Sequence, residues 1–267
     1  MKTKLNNLQQ RSLTAGLLIF LVLIVLFYAP FSLIMAILVL VLGACGFEWL
    51  TLIPLSKVNA WWFIPLLVLD FYFSRFYFSV YQFLGTITLG LLFIAILFYP
   101  SLQKYWGKRI IVALCGLILL PLCFAAIANI LQYKQGSLYL FYLLLLIWAT
   151  DTGGYLVGQR MGSHKIIPKV SPGKTLEGTL GGVCAAICVG SLAFFYFHPY
   201  SARLWFVQML ATIMLALVGD LIISMFKRRV NCKDTGAILP GHGGILDRLD
   251  SLIAAAPIFY VLSQVYA

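Results

Sequence analysis

Residues 204–226 read LWFVQMLATIMLALVGDLIISMF, a run without Lys or Arg that holds a single acid, Asp220. At 1.5 Å rise per residue such a run crosses a hydrocarbon core of about 30 Å as one α-helix. Working outward, similar runs fall at about 12–29, 31–53, 60–74, 77–99, 110–131, 137–158, 176–197 and 244–266, which makes nine candidate crossings. Residues are 62% hydrophobic and only 10% charged, with a mean hydropathy of +0.99, so a soluble domain of this size could not cover its own surface. Collagen, coiled coil and disordered tail are excluded on the same grounds. The expected fold is all-α: a polytopic integral membrane protein of about nine transmembrane helices, in one integral domain over 1–267.

The 19 Lys and Arg against 8 Asp and Glu give a net charge of +11. In a membrane protein this excess first serves topology, because cytoplasmic loops collect Lys and Arg, and it gives no reason to expect nucleic acid. With the N-terminus in the cytoplasm and nine crossings, 15 of the 19 basic residues fall on the cytoplasmic side, and Arg75, Lys134 and Arg203 on the other. Merging 60–99 into one crossing would scatter the basic segments over both faces. The run after Lys2, Lys4 and Arg11 reads as a retained first helix. Six cysteines (45, 115, 123, 184, 188 and 232) form no CxxC pair, and five sit in apolar runs, so neither disulfides nor zinc are expected.

Six of the eight acids and fourteen of the 22 glycines lie between 151 and 250, which makes 136–267 the functional half and 1–135 a scaffold or dimer surface. A carboxylate within a membrane helix is costly unless it pairs, binds a cation or lines a wet cavity. Asp151 follows LLLLIWAT and Asp220 follows ATIMLALVG; Asp247 and Asp250, spaced i, i+3, share one helical face. Such a face suits Mg²⁺, which prefers carboxylate and phosphate oxygen. Between them runs a loop with Lys227, Arg228, Arg229, Lys233, Asp234 and His242, and basic groups beside acids suit a phosphate-plus-metal site. Alternatively, Asp151 and Asp220 snorkel to the interface and pair with Lys or Arg. Glu48 and Asp70 read as structural pairs.

A second loop carries SPGKTLEG at 171–178, where Pro172 and Gly173 force a turn and the next helix starts. Lys174 and the hydroxyls of Ser171 and Thr175 there form an anion cradle or simply a capped helix start. The GxxxxGK[ST] pattern of a Walker loop is not present. The small residues of GTLGGVCAAICVG, 178–190, suit close helix packing or a dimer contact.

The 27 residues from Ser224 to Asp250 resemble the signature of phosphatidate cytidylyltransferases: S-x-F-K-R, four residues, K-D-x-G, then P-x-H-G-G-x-x-D-R-x-D. SPxKTxEG at 171–178 and DTGGY at 151–155 support the likeness, whereas the first 130 residues match only in hydrophobicity and length. The resemblance implies an enzyme of phospholipid biosynthesis that transfers a cytidylyl group from CTP to phosphatidic acid, giving CDP-diacylglycerol and pyrophosphate, with Mg²⁺. A phosphate monoester is largely a dianion at neutral pH, so the lipid phosphate needs no general base; repulsion between two polyanions must instead be screened. On this reading Asp220, Asp247 and Asp250 hold the metal, with Asp151 and Asp234 as further candidates, and Lys227 and Lys233 join the catalytic set. Ser171, Lys174, Thr175, Ser224, Arg228, His242 and Arg248 bind substrate, His242 either at a phosphate or only satisfying its turn. The family's two-cation centre admits a second ion such as K⁺, and a homodimer is expected from the family; the nine-crossing order puts both long loops, and so the site, on the cytoplasmic side of the inner membrane, where CTP arrives from water and phosphatidate from the leaflet. A transporter is disfavoured because the halves show no corresponding binding segments, and a CTP-using lipid kinase because the signature is complete. The D-G-x-x-A-R to D-x-x-x-D pattern of a CDP-alcohol phosphotransferase is missing. The topology has its own check: alkaline phosphatase fused at the C-terminus is expected to be active outside the cytoplasm, and an inactive fusion would reverse the nine-crossing order.

Overall fold

The computed structural model describes residues 7–53, 57–238 and 243–265, and it is almost wholly helical. Among these residues the elements in chain order are α1 (Asn7–Tyr28), α2 (Phe31–Leu52), α3 (Lys57–Phe76), α4 (Phe78–Leu97), the single turn α5 (Gln103–Trp106), α6 (Arg109–Ile130), α7 (Gly136–Met161), α8 (Leu176–Phe197), α9 (Ala202–Arg229) and α10 (Leu246–Ser263). Each apolar run thus forms one long helix. Six of them, α2, α4, α6, α7, α8 and α9, are long and apolar enough to cross a membrane. The run at 60–74, short as read from the sequence, lengthens to the 20 residues of α3, about 30 Å of helix. α10 stays outside the six because of its charges, Asp247, Arg248 and Asp250. The apolar part of α1 described in full, Gly16–Tyr28, is shorter.

α6 is the axis of the bundle. Leu119 through Ala126 are all buried, and α2, α3, α4, α7 and α10 pack around it. Many large side chains elsewhere are exposed, such as Leu40, Phe83, Leu91, Leu192 and Phe195, as expected where the surroundings are acyl chains. Asp70 is satisfied locally, accepting a hydrogen bond from the Tyr81 hydroxyl of α4. An aromatic cluster joins α7 to α8, α9 and α10, with Tyr142 stacked on Trp205 at 4.9 Å and tilted against Phe197 and Phe259.

The most extensive contact is between α7 and α8, followed by that between α9 and α10. Lipid tails supply no hydrophobic drive between helices, so close backbone approach at small residues has to hold them. The glycines read from the sequence as a packing or dimer surface are used within the chain. A Cβ at Gly182 would lie 2.4 Å from the Thr150 carbonyl oxygen, and one at Gly153 only 2.7 Å from Ala185. Gly219 plays the same part between α9 and α10, where a Cβ would come within 2.4 Å of the Asp250 carbonyl oxygen.

Four connections meet at one end of the bundle. Arg229 Nη1 donates to the Leu52 carbonyl (2.9 Å), Thr51 Oγ1 to the Thr235 carbonyl (2.9 Å) and Arg228 Nε to the Val170 carbonyl (3.1 Å), while Gly107 lies against the Arg229 side chain. The ends of α2 and α9 and the segments that follow α4, α7 and α9 therefore share a face. Gly182→Val is expected to overpack the α7–α8 seam and cost roughly 1–3 kcal/mol. A detergent-solubilised variant should melt below the wild type; an unchanged midpoint would mean that the two backbones do not touch there.

Candidate functional site

The loop from 162 to 175 is folded by its own backbone before it presents any side chain. An antiparallel bridge joins Lys165 to Thr175, with Ile166 N donating to the Lys174 carbonyl (3.3 Å) and Leu176 N to the His164 carbonyl (2.8 Å). Thr175 caps α8, its buried hydroxyl accepting from Gly178 N at 3.1 Å. Glu177, in the first turn of α8, accepts from Ser163 N (3.0 Å) and His164 N (3.2 Å) and meets His164 Nδ1 at 2.6 Å. Sequence reading placed Glu177 only at the helix start; here it ties down the far side of the loop. Ser171 accepts at its carbonyl from Lys174 N (3.3 Å), which completes the turn that aims Lys174 inward.

Lys174 Nζ reaches Asp220 Oδ2 of α9 at 2.5 Å and the Leu217 carbonyl at 3.5 Å, and Ser224, one turn on, donates to Asp220 Oδ1 at 3.3 Å. Asp151 of α7 and Asp250 of α10 are close enough for their charges to interact with Asp220 and with each other, and Arg248 lies within electrostatic reach of Asp151. A cavity of about 190 Å³ opens here between α7, α8 and α9, with Asp151, Lys174, Thr175, Thr179 and Asp220 in its wall. It has room for a phosphate-sized group, and Gly154, Gly173 and Gly178 leave its backbone accessible.

Asp247 stands one turn before Asp250 on α10 in a pocket of its own. Lys227 Nζ of α9 pairs with Oδ1 at 2.8 Å. Oδ2 accepts from Thr235 N (2.8 Å), Thr235 Oγ1 (3.1 Å) and Gly244 N (3.1 Å). Both side chains are nearly closed off, 11% exposed for Lys227 and 4% for Asp247. Cys232 lies in the same loop, and burial pushes its thiol up.

The sequence-derived set therefore divides. Asp151, Lys174, Thr175 and Asp220 line the cavity, Ser224 joins them through Asp220, and Asp250 and Arg248 lie within electrostatic reach; Lys227 and Asp247 form the adjoining clamp; Arg228 holds the two loops together through Val170. Lys233 and Asp234 are exposed on the loop, and His242 lies outside the described residues. Glu48, read as one half of a structural pair, accepts from Ile245 N and Leu246 N beneath the Asp247 clamp, and its Oε2 lies 3.2 Å from the Thr235 hydroxyl, whose one proton serves either Glu48 or Asp247. Nothing in its own helix announces this, since its partners lie about 190 residues away. Among the described residues no group of three His, Cys, Asp or Glu side chains is spaced to hold an ion unaided.

The family model described as "Cytidylyltransferase family" matches residues 9–266. The chain is 39% identical over 173 residues to the phosphatidate cytidylyltransferase of Staphylococcus aureus (strain COL), a match covering 62% of this chain and 65% of that one. It is 36% identical over 181 residues to the protein of that name from Haemophilus influenzae, with 61% of each covered, and 38% identical over 173 residues to that of Staphylococcus haemolyticus. The matches span somewhat less than two thirds of these relatives' own length. The clamp predicts an asymmetry: Lys227→Met, which leaves Asp247 buried without its cation, should cost roughly 3–5 kcal/mol, and Lys227→Met with Asp247→Leu much less. Unfolding of the purified variants in detergent would measure both, and a single variant as stable as wild type would rule the pair out as a buried ion pair.

Proposed function

The chain belongs to the cytidylyltransferase family, and we propose that it transfers the cytidylyl group of CTP to phosphatidic acid, releasing pyrophosphate and leaving CDP-diacylglycerol in the membrane. The observation that carries this reading is the cavity in which Lys174 of one signature loop meets Asp220 beside the other, with Asp151 and Asp250 close by, at an end of membrane helices. Water-borne CTP would enter from the loop face and phosphatidate sideways from the leaflet. We place that face in the cytoplasm and the protein in the inner membrane, in keeping with the basic loops that share it. A homodimer remains part of the proposal on the family resemblance alone.

In the reaction a lipid phosphate oxygen forms a bond to the α-phosphorus of CTP, and the bond from that phosphorus to the bridging oxygen of the β-phosphate breaks, its electron pair leaving with pyrophosphate. The attacking phosphate is already largely a dianion near neutral pH, so no side chain has to remove a proton. What the site must provide is charge screening and alignment. Lys174, at the start of α8, would meet the incoming phosphates where helix amides also point, exchanging its contact with Asp220 for one with the ligand. Arg228 would hold the loops in register, and Arg248 and Lys233 would receive the remaining phosphate charge.

Mg²⁺ suits this donor set. Asp151, Asp220 and Asp250 lie within electrostatic reach of one another, interspersed with Lys174, Lys227 and Arg248, and although no three carboxylates converge on one point, Mg²⁺ commonly takes one or two carboxylates and completes its shell with water and substrate phosphate. Asp220 and Asp250 would hold it, Asp247 flanking them from its clamp, and a second ion such as K⁺ would find its place towards Asp151. When bound, the ion supplies neutralisation of the phosphate oxygens.

Purified protein given CTP, phosphatidate and Mg²⁺ in mixed micelles should release pyrophosphate and form the liponucleotide only when all three are present. Asp220→Asn and Lys174→Met should each lower turnover by roughly 100-fold or more, in the range lost when a preorganised charge is removed. Polyprenol accepted in place of phosphatidate would convert the reading to a lipid kinase, and no chemistry in micelles where a related enzyme works would end it.

A further inference from the structure

Glu48 is 1% exposed, sits on α2 in the half of the chain without assigned chemistry, and points away from its own helix into the loops of the other half. Its Oε1 accepts from Ile245 N at 3.0 Å and its Oε2 from Leu246 N at 2.8 Å, the first amides of α10, where helix-end donors favour an anion. Oε2 also lies 3.2 Å from Thr235 Oγ1, and that hydroxyl is 3.1 Å from Asp247 Oδ2, so Thr235 stands between the two carboxylates. The fit is close: a Cβ at Gly236 or at Gly244 would come within 2.4 Å of Glu48 Oε1 or Oε2 respectively. Neither glycine is at positive φ, unlike Gly243, so what a side chain would meet at these two positions is the Glu48 carboxylate, joined at Gly244 by the Thr235 hydroxyl.

We propose that Glu48 is a positioning residue for the site, acting through Thr235, Gly244 and the first turn of α10 to fix the donors that orient Asp247. In so far as it concerns catalysis, the proposal rests on the cytidylyltransferase reading. Each donor to Asp247 Oδ2 belongs to a residue that Glu48 also touches or confines: Thr235 through its hydroxyl, Gly244 by contact and by its neighbours Ile245 and Leu246. The carboxylate thus stands in for the segment's missing local support, since α10 begins without a side-chain cap of its own. A conventional outer partner of a catalytic carboxylate is worth about 10–100-fold in ligand affinity or activity, and the same scale is expected here.

Amide hydrogen exchange read by mass spectrometry, alongside turnover, separates this role from general support. Glu48→Gln keeps the shape but turns an amide group towards backbone donors. Peptides covering 233–238 and 243–249 should then exchange at least about tenfold faster, the factor for one lost hydrogen bond. The glycine seam of α7 and α8 should stay protected. kcat should fall about 10–100-fold with the KM for CTP within about threefold, and Glu48→Asp should recover part of the protection. Unchanged exchange in the two peptides would overturn the proposal, as would deprotection spread evenly over all helices with normal turnover per folded molecule. Should Glu48→Gln not accumulate, Thr235→Val, which removes only the bridging hydroxyl, must loosen 243–249 in the same way, and failure to do so overturns it equally. A wild type without cytidylyl transfer would refute the reaction and leave the exchange result to judge the positioning.

Discussion

A carboxylate at the end of a membrane helix must find its donors inside the protein, and the arrangement around Asp247 is what the rest of the site depends on. Lys227 closes one side from α9, while Thr235 and Gly244 close the other from the intervening loop. Because Lys227 and Asp247 lie on the two helices that flank the loop, their pairing sets the register of α9 against α10. That register places Asp250 near Asp220, and with it the wall that Lys174 reaches from the loop before α8. Had Asp247 been left in lipid or in open water, none of these distances would be defined by the fold.

The helices themselves were readable because apolar runs and breaks of polar, Gly or Pro residues are a local signal. The run at 60–74 is shorter than its helix, since Lys57 to Asn59 and Arg75 to Phe76 extend it at both ends, where polar and charged residues interrupt the apolar pattern. The acids of the C-terminal half and their basic loops were legible for a different reason: charge is expensive in such surroundings, so each one asks for an explanation. Lys174 and Asp220 come together as both the pairing and the phosphate-site reading require. Glu48 escaped for a physical reason as well. Its partners are backbone amides and one hydroxyl, and a backbone amide carries no mark in a sequence that would tell a distant carboxylate where to go.

Lys233 shows the converse. Read from the motif it belongs with Lys227, yet it lies exposed on the loop, while Arg228, between the two, spends its guanidinium on the Val170 carbonyl. Neighbours in a motif thus divide between holding the loops and facing whatever enters, according to which side of the helix end each leaves from. The N-terminal helices share in this division. Through Leu52, Thr51 and Gly107 they brace the loop that follows α9, so the half without chemistry of its own still shapes the half that has it.

Gly219 is adjacent to Asp220 and offers no functional group, yet the Asp250 carbonyl oxygen occupies the space its side chain would need. The interval between the carboxylates of α9 and α10 is consequently gauged by an absent methyl group. Substituting even Ala there would act as a spacer, widening the gap between the two carboxylates without altering either of them. For the cation proposed between Asp220 and Asp250, Gly219 would thus act on the fit of the ion before it acted on the fold.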